Sequence, residues 1–168
     1  EVEYIMGQIK LKGTKEFIES TKEALKLLKE RDPMNFKIVV QNIKQIQEHR
    51  ENWYSYFCVL EGLPTARINK KTYTHNIEWY ACGLVHEAYH SRQYHEALLD
   101  GEDSIKACTG YSAEMYCLTK QIECMKRIGA CEEDIEWAIS CYDQKWWEGY
   151  TNEVKIRTIK KRGIKWIL

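Results

Sequence analysis

The stretch Ile77-Glu78-Trp79-Tyr80-Ala81-Cys82-Gly83-Leu84-Val85-His86-Glu87-Ala88-Tyr89-His90 decides how this chain is read. Its apolar positions Ile77, Tyr80, Ala81, Leu84, Val85 and Ala88 recur at helical spacing and predict a helix with one buried side. No proline interrupts it. His86 and His90 are four apart, so both imidazoles lie on one face and reach the same cation. Glu87 sits one position round from His86, where its carboxylate can touch a metal-bound water without ligating the metal. The spacing therefore predicts a site for Zn²⁺ on a helix. Two histidines leave zinc one protein ligand short of the three that a catalytic site uses beside an open position.

Downstream candidates for that third ligand are His95, Glu96, Asp100, Glu102, Asp103, Glu114 and Glu123. Those between 95 and 103 lie too close in sequence to fold back easily onto the same helix face, and Asp100-Gly101-Glu102-Asp103 reads as a solvated loop. Glu114 differs. It begins a second periodic segment (Tyr111, Met115, Leu118, Ile122 and Met125) and borders its apolar stripe. A carboxylate at the edge of a core needs a partner, because burying it unpaired is costly. A metal held by two histidines is such a partner.

The rest of the chain is compatible with one domain over residues 1–168, long enough to bury a core without cross-links. The 25 basic side chains balance 25 acidic ones, which gives no reason to expect nucleic acid or an anionic membrane as the main partner. No apolar run approaches the roughly 20 residues that span a bilayer. The seven cysteines are odd in number and none shows CxxC spacing, so they read mostly as small buried hydrophobes. Cys117, Cys124 and Cys131, spaced by seven, are expected along one helical stripe. The compartment stays open.

Before the histidine helix, residues 4–12 alternate loosely and predict a first strand. Thr14 caps a helix carrying Phe17, Ile18, Thr21, Leu25 and Leu28, which Asp32-Pro33 stops. Residues 36–46 fit helix and strand equally. Two strands are expected at 53–60 and 65–74 across the turn Glu61-Gly62-Leu63-Pro64. Gly129 ends the helix that carries Glu114. A last helix, with Ile135, Ile139, Tyr142 and Trp146, follows the acidic turn Glu132-Glu133-Asp134. The tail, residues 154–168, alternates basic and apolar residues and reads as a final strand or hairpin. The fold class is α+β: a small mixed sheet packed on the helix of His86 and His90 and on the helix of Glu114.

With those residues in place, the chain resembles the gluzincin zinc metallopeptidases, which carry HExxH on one helix and a glutamate ligand on a following one. It is most similar to their minimal soluble members, the minigluzincins. The resemblance rests on Trp79-Tyr80-Ala81 leading to His86-Glu87-Ala88-Tyr89-His90-Ser91, and on Glu114-Met115-Tyr116-Cys117-Leu118 after it. It covers roughly residues 66–129. It implies Zn²⁺ held by His86, His90 and Glu114, Glu87 as general base, and peptide or protein substrates bound along the strand at 65–74 as a sheet edge. It also departs from that family. Larger gluzincins place an Asp four residues after the ligand Glu, to support a zinc-bound His, and Leu118 stands there. Their Asn before the ligand Glu is Ala113.

Tyr94, His95 and Tyr111 are within sequence reach as transition-state donors. The tail is read as an edge strand, a contact for self-association, or, as terminal segments do in minigluzincins, a segment that occludes the cleft. The alternative to an enzyme is a catalytically silent zinc-binding pseudopeptidase or peptide-binding module. A metal-free interaction domain, presenting Trp146, Trp147 and Tyr150, is the third reading.

Overall fold

The structure is a computed structural model that describes residues 2–51 and 54–144. The tail at 154–168, with Trp146, Trp147 and Tyr150, lies outside the described residues. The first strand is in fact a hairpin. β1 (Val2–Met6) turns at Gly7, whose φ of 60° suits glycine, into β2 (Ile9–Gly13). Alternation alone could not reveal a chain reversal in the middle of the run. Thr14 caps α1 (Lys15–Arg31) by accepting from the Phe17 N–H, and Asp32 both ends α1 and caps α2 (Pro33–Asn42). The ambiguous stretch thus divides: α2 runs to Asn42, and β3 (Gln45–His49) takes the rest.

β4 (Tyr56–Leu60) and β5 (Leu63–Asn69) form a tight hairpin. Its two turn residues, Glu61 (φ 52°) and Gly62 (φ 78°), both adopt the left-handed conformation that a two-residue hairpin loop requires. The sheet order is β1-β2-β3-β5-β4, with β3 parallel to both β2 and β5. This corrects two expectations. β5 ends at Asn69, which caps the short helix α3 (Lys70–His75). It also lies inside the sheet, so among the described residues the edge on that side is β4.

Across the sheet Leu11, Ile46, Ala66 and Phe57 are paired in register, and all four are buried in the core beneath the helices. Alternate positions (Gln45, Gln47, Thr65 and Arg67) carry polar side chains on the opposite face. At the centre stands α4 (Ile77–Leu99), capped by Asn76. It packs on α1, α2 and α3 and most extensively on α6 (Gly110–Ile128). Tyr80, Ala81, Cys82, Leu84, Val85 and the run from Glu87 to Ser91 are all buried, so α4 is enclosed on more than the one side that its apolar spacing predicts. Each large side chain sealed here, such as Leu84 or Met125, contributes about 1.5–3 kcal/mol. Polar ties fix its position: the Tyr80 and Thr21 hydroxyls share a hydrogen bond at 2.7 Å, and the Ser91 hydroxyl donates to the Asn42 carbonyl at 2.6 Å.

A short helix α5 (Ser104–Ala107) links α4 to α6, which ends at Gly129 in the left-handed conformation (φ 81°). α7 (Glu132–Ser140) then runs into one 3₁₀ turn, Cys141–Asp143, and so stops well short of Trp146. The seven cysteines are free thiols, six of them buried. Cys131 is the exception to the stripe: it lies past α6, exposed at the start of α7. The fold class is α+β.

Candidate metal centre

α4 presents His86 and His90 to α6, where Glu114 stands one turn in from the helix start. The Nε2 atoms of the two histidines are 3.0 Å apart, and Oε2 of Glu114 lies 3.4 Å from each. Ligands about 2.0–2.1 Å from a tetrahedral zinc are spaced by about 3.3 Å. The three donors therefore already stand at close to ligand spacing, and the group could hold a metal ion. Two imidazoles and a carboxylate suit Zn²⁺, Fe²⁺ and Co²⁺ alike.

The remaining imidazole nitrogens differ. Nδ1 of His90 donates to the Cys108 carbonyl at 3.0 Å, which turns Nε2 towards the centre. Nδ1 of His86 is buried and finds no hydrogen-bond partner among the described residues. Leu118, one turn beyond Glu114, lines the same cavity as His86. Burial opposes charge at both Glu114 and His90, yet it is outweighed, at His90 by Cys117 and Glu114 and at Glu114 by His90 and His86. Glu114 is held well below the usual carboxylate range and His90 well above the usual imidazole one. Cys117 lies against His90, and its burial raises the thiol above its ordinary pKa, so it stays protonated.

The other candidates are occupied elsewhere. Glu96 pairs with Arg92, Glu123 with Lys120, and Asp103 caps α5. Asp100 ends α4, and Glu102 is exposed in the loop beyond. His95 binds the Ser91 carbonyl through Nδ1 at 2.7 Å, Tyr94 packs on Phe57, and Tyr111 is exposed. None of those three lines the cavity, so the structure favours no transition-state donor among them.

That cavity, of about 720 Å³, opens on His86 and Glu87 and runs along α4 past Gly83 to Trp79. Glu87 is 5% exposed at its wall. Tyr54 and Ser55, which lead into β4, form another part of it. Sequence reasoning missed the far end, where Asp134 of α7 accepts from His75 (2.7 Å) and from Asn76 (2.6 Å). The Trp137 ring stands edge-on to Trp79, with centroids 4.9 Å apart. No periodicity links residues 75–79 to 134–137, so only the packing of α7 on the α3–α4 corner reveals them.

No protein-family model matches this chain, and neither a curated protein nor a solved structure is significantly similar to it. Among the described residues no helix is long and apolar enough to cross a membrane.

Proposed function

We propose that this chain is a zinc-dependent metallopeptidase. The observation that carries the reading is the convergence of His86, His90 and Glu114 beside a cavity that also contains Glu87. His86, His90 and Glu114 would hold the ion. Bound there, zinc supplies Lewis acidity, polarising a carbonyl and lowering the pKa of water towards neutrality. Glu87 would accept a proton from the attacking water on a carboxylate oxygen and deliver it to the departing amine. Burial beside the cavity suits that role, because bulk water does not compete for the carboxylate. An extended peptide would lie along β4, the sheet edge whose leading residues Tyr54 and Ser55 share the cavity with Glu87.

The test is Glu87→Gln in the zinc-loaded protein. Zinc content should stay unchanged, since Glu87 is not in the ligand group, while hydrolysis of casein-like substrates should fall at least about a hundredfold. The bare Nδ1 of His86 and the apolar Leu118 favour a second reading, a zinc-binding module that captures peptides without cleaving them. Zinc-loaded wild type that is as inert as Glu87→Gln would decide for the module.

A further inference from the structure

We infer that the far end of the cavity is a specificity subsite for a large aromatic side chain of the peptide, seated against Trp79 and Trp137. The inference deepens the peptidase reading and rests on it. Trp79 and His86 are seven residues apart on α4, two helical turns, so the subsite lies about 10.5 Å along the helix axis from the metal centre. The cavity connects the two without a break, since Trp79, Gly83, His86 and Glu87 all line it. That distance is about three residues of extended peptide at about 3.3 Å each. A side chain here thus belongs to a residue near the cleaved bond but not at it.

The wall is built of rings. His75 stands edge-on to Trp79 (centroids 5.7 Å, 82°), and Trp79 edge-on to Trp137 (4.9 Å, 63°). Trp137 is 54% exposed, so a large apolar face meets solvent inside a concave site, with Ala138 and Leu118 beside it. An aromatic ring of the peptide would gain both buried area and edge-to-face contact there. Gly83 keeps the passage open. A Cβ at this position meets only Thr72 Cγ2 at 3.5 Å, so the fold tolerates a side chain and the space in front of the glycine belongs to the cavity.

Asp134 acts as a positioning residue. Its carboxylate takes hydrogen bonds from His75 and Asn76, anchoring the first turn of α7 to the α3–α4 corner. Trp137 follows three residues later on the same helical face. Both Asp134 oxygens are taken up by these contacts, and the rings supply the apolar part of the wall.

The experiment separates binding from cleavage. In the full-length Glu87→Gln protein, the capped tripeptides acetyl-Gly-Phe-Gly-amide and acetyl-Gly-Ala-Gly-amide are titrated while the tryptophan indole N–H signals are followed by NMR. Trp137→Ala assigns one of the responding signals. The phenylalanine peptide should bind at least about tenfold more tightly than the alanine peptide, and Trp137→Ala or Gly83→Leu should erase the difference. Trp137→Ala removes an exposed ring and leaves the core untouched, and circular dichroism checks that Gly83→Leu is folded. In parallel, zinc-loaded protein with Glu87 intact is given a peptide mixture. Its preference for an aromatic residue near the cut, as a ratio of kcat/KM values, should fall about tenfold or more in Trp137→Ala. Equal binding of the two tripeptides overturns the subsite, as does cleavage without aromatic preference. Aromatic-selective binding with no cleavage by wild type supports the subsite and counts against the peptidase reading alone.

Discussion

Nδ1 of His90 donates to the backbone carbonyl of Cys108 at 3.0 Å, so the loop after α5 sets the orientation of an imidazole on α4. The contact spans 18 residues and turns Nε2 towards Glu114, whose Oε2 lies 3.4 Å away. A ligand whose orientation is fixed in advance loses less entropy when a metal arrives.

Metal content follows directly. The purified protein should carry about one zinc per chain by elemental analysis, and His86→Ala or His90→Ala should lose it. Glu114→Ala should bind at least about tenfold more weakly in a chelator competition. Full occupancy in Glu114→Ala would remove Glu114 from the ligand set.

Leu118→Asp tests the unpartnered nitrogen of His86. A carboxylate one turn beyond Glu114 should accept from Nδ1 and tighten zinc binding by about tenfold, read by the same competition. Because Leu118 is 3% exposed, the metal-free variant should lose about 1–3 kcal/mol of stability in urea. Unchanged affinity in a folded variant would mean that His86 needs no such support.

Acid should weaken the fold through His49. Its Nε2 donates to the Tyr54 carbonyl at 2.8 Å, and its Nδ1 accepts from the Glu51 N–H at 3.4 Å, an arrangement open only to the neutral ring. Burial, with the nearby Arg67 charge, pushes its pKa down to about 4. Above pH ~6.5 the ring is neutral in both states. As pH falls from ~6.5 towards 4 the unfolded chain takes up a proton that the folded one refuses, and stability drops by about 1.4 kcal/mol per unit, about 3 kcal/mol at most. Urea unfolding at pH 7 and pH 4.5 should show the loss, and His49→Gln should flatten it.

Asp32 should be a sensitive position. One carboxylate oxygen caps α2 through the Asn35 N–H, and the other accepts from the Asn35 amide and from Arg127, each at 2.8 Å. Asp32→Ala removes the cap and strands the buried Asn35 amide, at about 2–4 kcal/mol in chemical denaturation. Asp32→Asn keeps the cap but cannot accept from the Asn35 amide and Arg127, so it should be spared only the cap, about 1 kcal/mol less loss than Asp32→Ala.

Much of this protein was legible from its residues alone. The Thr14 cap, the stop at Asp32-Pro33, the His86–His90 helix and the end of α6 at Gly129 are local events. Each is specified by side chains within a turn of one another, and the structure has each where the sequence predicts it. Glu114 was legible for a related reason: a carboxylate on the border of an apolar stripe requires a partner, and two imidazoles four apart are one. The hairpin inside residues 2–13, the conversion of residues 70–75 from strand to helix and the place of β5 inside the sheet were not. Strand order depends on partners distant in sequence, and a β-branched run reads the same at an edge as in the interior. The unpartnered nitrogen of His86 and the ring array of His75, Trp79 and Trp137 also waited for the tertiary structure. They exist only because α6 and α7 pack against α4, and the distances that matter there lie between residues that no local pattern joins.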